Sequence, residues 1–276
     1  MFKFAVLLLA AIAGRAQQTG KLTFPSDNED PKQIRAVVAE LLKSVCPNQI
    51  SLAEELACRP CPDFTSTPGN LAGANITGVL RGHFLSPKSD DVLLSMQGCA
   101  LSWNYGGTAL LTRESGDSWK MVRYMGLTTN TCHKVALSGG RDLLACVWGV
   151  YSRGIVATFL SVWDIASDPE IEDRLVTTND DADTCGISWL YPTPHTSVTR
   201  EYIERVSFHG GVSGPRTMTV IVQRGTKTIT AEDQEACAKG SYKEDPSIAV
   251  KPRRITFNWD GKAFHQMPSQ PLAGPR

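Results

Sequence analysis

Between residues 78 and 166, short runs of β-branched, aliphatic and aromatic side chains alternate with clusters of Gly, Ser, Asp and Pro. This pattern predicts successive antiparallel strands: such runs suit a pleated, half-buried surface, and the clusters supply the turns. The runs 79–85 and 92–96 bracket Ser86-Pro87-Lys88-Ser89-Asp90-Asp91, and 107–113 and 118–124 bracket Glu114-Ser115-Gly116-Asp117. The run 155–163 is nearly all apolar, as expected of a strand covered on both faces. Between 166 and 200 the chain turns polar, and long loops, 177–183 among them, are expected around one short strand at 185–190. Strands resume at 202–208, 216–223 and 226–230, and a hairpin of 253–259 and 262–266 around Asp260-Gly261 closes the pattern.

Upstream the period changes from two to that of a helix. Asp30 stands as N-cap, Pro31 occupies the first helical position and Gln33 completes a capping box. Ile34, Val37, Val38, Leu41, Leu42 and Val45 follow as one apolar stripe. Ser51-Leu52-Ala53-Glu54 reads as a second capping box, for a short helix ending near Cys58. The expectation is a short N-terminal helical pair whose stripe covers the sheet. Near the other end, Thr230-Ala231-Glu232-Asp233 caps a short helix carrying Cys237.

A weak echo recurs along the chain: SDDVLLSM at 89–96, GGRDLLACVW at 139–148 and SGPRTMTVIV at 213–222. Repetition of this kind points to repeated β units. The segment GHFLSPKSDDVLLS (82–95) resembles the FG-GAP type of propeller repeat, with its Gly-x-Phe, loop and apolar strand. Ser86-Pro87-Lys88-Ser89 lacks that family's calcium carboxylates, so the resemblance implies a fold and no binding residues. The fold class expected is mainly β, with antiparallel meanders forming a propeller-like or β-sandwich domain.

The first residues change the picture of where the protein works. Met1-Phe2-Lys3, an apolar run 4–13 and Gly14-Arg15-Ala16 have the three parts of a secretory signal peptide, and the run is too short to span a bilayer. Cleavage after Ala16 removes Lys3 and Arg15, leaving 26 basic residues where the whole chain has 28 against 28 acidic ones, a net charge of −2. That near-neutrality argues against nucleic acid as a partner, although Lys251-Pro252-Arg253-Arg254 is locally basic. No transmembrane segment is expected, and the mature protein should be secreted or periplasmic. The division expected is 1–16 signal peptide, 17–29 loose segment, 30–62 helical Cys-containing segment packed on the β domain, 63–267 β domain and 268–276 disordered tail.

Eight cysteines behind an export signal favour disulfides: Cys46, Cys58, Cys61, Cys99, Cys132, Cys146, Cys185 and Cys237. Eight allow 105 connectivities. One pair follows from register: a three-residue loop Ser138-Gly139-Gly140 sets Cys132 opposite Cys146, whereas a two-residue turn separates them. Cys58-Arg59-Pro60-Cys61 has the spacing of thiol–disulfide oxidoreductases. It lacks their strand-before, helix-after context, so structural disulfides, one of them to Cys46, are favoured.

Three constellations could carry chemistry. Asn179, Asp181 and Asp183 alternate as ligands of a calcium loop do, but Thr184 and Leu190 replace the required Gly and Glu. His209-Gly210-Gly211 has the form of an esterase oxyanion loop, yet no Gly-x-Ser-x-Gly elbow accompanies it. Trp103-Asn104-Tyr105, in a Gly-rich loop beside Cys99, offers aromatic faces to a carbohydrate or peptide. Asn75-Ile76-Thr77 fits the N-glycosylation sequon. The sequence thus favours a non-catalytic binding or interaction module for a protein or carbohydrate ligand, without a cofactor unless calcium binds. The alternative is an exported hydrolase or thiol–disulfide redox protein.

Overall fold

The computed structural model describes residues 22–46, 49–51, 56–58, 73–98, 106–114, 118–152, 155–167, 169–181, 185, 197–210, 216–241 and 248–268. Three antiparallel meanders follow one another along the chain, and within each the strands pair in sequence order. The first comprises β3 (Ala74–Gly82), β4 (Asp91–Gln97), β5 (Gly106–Arg113) and β6 (Trp119–Met125). A small hairpin, β1 (Gln49–Ser51) and β2 (Leu56–Cys58), extends its β3 edge. The second runs through β7 (Cys132–Ala136), β8 (Asp142–Ser152), β9 (Ile155–Asp164) and β10 (Ile171–Asp181). The third has β11 (Ser197–His209), β12 (Arg216–Thr228), β13 (Lys251–Trp259) and β14 (Phe264–Gln266). The three sequence echoes fall on β4, β8 and β12, the second strand of each meander.

Alternation along the strands decides how the sheets stack. On β8, Leu143, Ala145 and Val147 point one way and pack with Ile203, Val206, Met218, Val220 and Val222 of the third sheet. Leu144 and Cys146 point the other way and pack with Leu80, Leu93, Leu110 and Met125 of the first. The second sheet is therefore covered on both faces. Beyond the first sheet lies helix α1 (Arg35–Lys43), whose Val38, Leu41 and Leu42 are fully buried against Val79, Val92, Leu94, Ala109 and Leu111. Each such aliphatic side chain contributes about 1.5–3 kcal/mol through burial. Both a fan of propeller blades and a layered sandwich pack sheets face to face in this way.

Several local expectations need correction. Among the described residues there is one N-terminal helix rather than a pair: Gln49–Ser51 and Leu56–Cys58 form a hairpin, with Ile50 opposite Ala57. Its second strand has a ready partner in β3, and Cys58 is bonded to Cys46 at the end of α1; pairing and crosslink outweigh the capping signal, whose residues 52–55 lie outside the described ones. Asp30 accepts from the Lys32 N–H within a turn preceding the helix, so the helix starts a turn later than the capping box predicts, at Arg35. At the other end α2 (Ala231–Ala238) has the full box, Thr230 and Asp233 each accepting from the other's backbone N–H.

Residues 22–29 are not loose. The Thr23 N–H donates to Glu204, the Val206 N–H to Thr23, the Asp27 N–H to Cys132 and the Glu29 N–H to Val79. The segment thus straps the third, second and first sheets in turn, with Phe24 edge-on to Phe208 at 6.3 Å. Residues 177–181 belong to β10 rather than a loop, and Cys185 has helical rather than strand backbone. Residues 1–21, 186–190 and 269–276, and with them the expected signal peptide, lie outside the described residues.

Candidate functional site

The linker Leu127-Thr128-Thr129-Asn130-Thr131 between the first two meanders carries three hydroxyls, and the fold uses two of them internally. Thr129 is buried, its Oγ1 2.6 Å from Ser95 Oγ and its N–H donating to the same oxygen. Thr108 Oγ1 donates to the Leu127 carbonyl at 2.6 Å, and Thr131 Oγ1 to the Val147 carbonyl. These bonds hold the linker against β4, β5 and β8. What they leave is a cleft of about 350 Å³ lined by Thr77, Gln97, Thr128, Asn130, Trp148 and Thr158, with Leu22, Thr131, Val147 and Gly149 completing it.

No ionisable side chain is among these residues. The Gln97 amide and the Thr128 and Thr158 hydroxyls make no hydrogen bond to the described residues. Thr158 is only 2 % exposed. Gly149 lies opposite it across the β8–β9 pair. A Cβ there would come 3.0 Å from the Ala157 carbonyl oxygen and 3.6 Å from Thr158 Oγ1. Glycine thereby keeps open the space above a buried hydroxyl, which would otherwise be filled.

Trp148 is among the lining residues, but its ring lies on the β8 face that carries Leu144 and Cys146, opposite to Gly149 and Thr158, and is held there by its neighbours. Its indole N–H donates to Ser161 Oγ at 3.1 Å, Ser161 donates to Glu172 at 2.6 Å, and Glu172 accepts from Arg174 Nε at 2.9 Å. The Arg174 guanidinium lies over both the Trp148 and Phe159 rings, at 5.3 and 4.6 Å. That contact fixes the ring plane before any ligand arrives. The cleft therefore presents uncharged donors and acceptors, the groups that orient small polar ligands, beside a strand whose Trp148 is fixed on its other face.

The residues picked from the sequence fare unevenly. Trp103 and Tyr105 lie outside the described residues. β4 ends at Gln97 and β5 begins at Gly106, and Gln97, paired with Gly106, is part of the cleft wall. Asn75 of the sequon is half-buried on β3 opposite Gln97. Asn179 and Asp181 are strand residues of β10 paired with Ala157 and Ile155, so their oxygens do not wrap as a calcium loop does; Asp183 lies outside the described residues. Asp181 instead accepts the Thr199 N–H at 2.6 Å, and burial pushes its carboxyl above the ordinary range. Among the described residues no group of three or more His, Cys, Asp or Glu is placed to hold a metal ion.

Cys132 is opposite Cys146 and bonded to it; Cys46 is bonded to Cys58, and Cys185 to Cys237. Cys58 is thus engaged away from Cys61, which with Cys99 lies outside the described residues. His209 ends β11 exposed, and Gly210 turns the chain with φ 110°. Sequence reasoning missed Trp148 and Thr158 because they sit in regular strand alternation, where nothing distinguishes a cleft wall from a core position. Comparison with family models, curated proteins and solved structures finds no match, so fold and site stand on their own geometry.

Proposed function

We propose that this is an exported, non-catalytic binding module whose cleft takes a neutral, hydroxyl-rich ligand of the carbohydrate class. The observation that carries the reading is the unengaged hydroxyl of the buried Thr158 beneath Gly149, in a cleft that also presents the Gln97 amide and has no charge in its lining. Sugars present hydroxyls to neutral donors and acceptors of this kind. Export is supported by the N-terminal apolar segment and by three disulfides, which form in oxidising compartments. The resemblance of 82–95 to an FG-GAP repeat supports reading the meanders as blade-like units, with ligands taken between them.

The test is calorimetric titration of a panel of neutral oligosaccharides into wild type, Thr158→Val and Trp148→Ala. Thr158→Val keeps the side-chain shape and removes only the hydroxyl. It should weaken binding about tenfold, the value of one hydrogen bond to a buried group, at an unchanged melting temperature. Oligosaccharide affinity equal in wild type and Thr158→Val would place binding elsewhere. No binding across the panel would refute the ligand class.

A further inference from the structure

Most arginines among the described residues are engaged. Arg81 pairs with Glu29, Arg113 with Asp90, Arg141 with Asp164, Arg174 with Glu172, Arg200 with Asp180 and Arg224 with Glu201. Arg123 donates to the Ile165 carbonyl, and Arg35 and Arg216 also have partners. Among the described residues the exceptions are Arg205, Arg253 and Arg254, all exposed and all on the third sheet. Two of them share a row: Arg205 of β11 is opposite Ile221 of β12, and Ile221 is opposite Arg254 of β13. Cross-strand partners project from the same face. This face is the one turned away from the core, since Val206, Val220 and Phe257 occupy the alternate, inward positions.

The next rows of that face are Ser207–Thr219–Thr256 and His209–Thr217–Asn258, the latter continued by His265 of β14. It is a flat field of hydroxyls, amide and imidazoles around one aliphatic side chain, Ile221. The nearest acidic group on β11, Glu204, is taken by the Gln223 amide at 2.8 Å. Edge protection accounts for Lys251, Pro252 and Arg253, because half of β13 has no strand beyond it and charge or proline there prevents edge pairing. Arg254 lies on the same unpaired stretch, but edge protection does not account for its sharing a row with Arg205, the two flanking the middle strand on the sheet face.

We propose that the outer face of the third sheet binds an anionic polysaccharide, with Arg205 and Arg254 each taking a sulfate or carboxylate and the Ser–Thr row taking sugar hydroxyls. Guanidinium groups recognise such anions through paired N–H donors. Two strand spacings separate the arginines, about 10 Å, comparable to a disaccharide repeat. A folded acidic protein fits less well, because a protein interface needs an apolar centre and Ile221 alone is too small for one. The inference is independent of the cleft, which lies on other strands.

The experiment uses immobilised heparin and calorimetry with heparin, neutral dextran, single-stranded DNA and polyglutamate as probes. The wild type should bind heparin, and Arg205→Glu/Arg254→Glu should weaken it by about a hundredfold, tenfold for each charge-assisted contact. Circular dichroism should be unchanged, as both side chains are exposed. Lys43→Glu/Lys239→Glu, which alters net charge equally on two helices, is the control and should shift elution only slightly. Equal loss in the control would overturn the proposal, leaving net charge alone. So would dextran binding as tightly as heparin. Preference for DNA or polyglutamate over heparin would also overturn it, in favour of another class of partner.

Discussion

Two buried polar side chains show what engagement decides at the scale of a residue. Thr158 is buried with its hydroxyl facing open space, which is the mark of a site; Asp91 is buried with one carboxylate oxygen, Oδ2, consumed by the fold and Oδ1 left without a partner. Asp91 Oδ2 accepts from the Phe84 and Leu85 N–H groups, both at 2.8 Å, and from Ser89 Oγ at 2.5 Å. It closes the β3–β4 connection. Asp91→Ala strands those donors away from water and should cost about 2–4 kcal/mol in urea unfolding; a loss below about 1 kcal/mol would mean the loop is not held this way. A second carboxylate carries a pH dependence. Burial raises the Asp27 pKa, but bonds from His133 at 3.0 Å and the Lys134 N–H at 2.7 Å, with the nearby positive charges, bring it below the ordinary value. A depressed carboxyl stabilises the fold above its unfolded pKa of about 3.9. That contribution is lost as pH falls through the lower, folded value. Asp27→Asn should therefore lower stability at neutral pH and flatten its decline below about pH 4. An unchanged acid limb in the variant would assign the dependence to other groups.

At the scale of elements, local chemistry was legible wherever the chain itself supplied the partner. The Ser138-Gly139-Gly140 loop specifies the register of β7 and β8, and Cys132 lands opposite Cys146 because pairing is counted outward from the loop. The α2 capping box is equally local. Where the partner came from elsewhere, the reading went astray. The Ser51 box lost to pairing with β3, the polar 22–29 segment found carbonyls on three sheets, and the acidic 177–181 stretch found β9. The cleft belongs to this second kind. Gln97, Thr128, Trp148 and Thr158 come from four separate places in the chain, and only packing of two meanders brings them together. The locally specified disulfide is the one whose value can be anticipated. Its ends are 14 residues apart, so replacing Cys132 and Cys146 together by Ala should cost about 3 kcal/mol through loop entropy regained by the unfolded chain. Equal unfolding midpoints for wild type and the double variant would show that the sheet, rather than the crosslink, limits stability.

At the scale of the whole molecule, the second sheet carries the consequence of the stacking. Leu144 faces the first sheet and Val147 the third, and neither face has water to fall back on if a neighbour leaves. The strap of residues 22–29 reinforces this, since it bonds to all three sheets and cannot stay in place when any one of them unfolds. The stack should therefore unfold in a single cooperative step rather than one meander at a time. Two substitutions placed in different cores test this. Leu144→Ala opens space beside Leu80 and Met125, and Met218→Ala opens space beside Val206 and Phe257, with each expected to cost about 2–5 kcal/mol. Urea unfolding would be followed by far-ultraviolet circular dichroism and, separately, by tryptophan fluorescence. Under one-step unfolding both probes give coincident transitions in both variants, and each substitution lowers the one midpoint. If Met218→Ala instead produced an early transition for the third sheet alone, while the remaining signal melted where wild type melts, the meanders would be independent units and the shared middle sheet would not couple them.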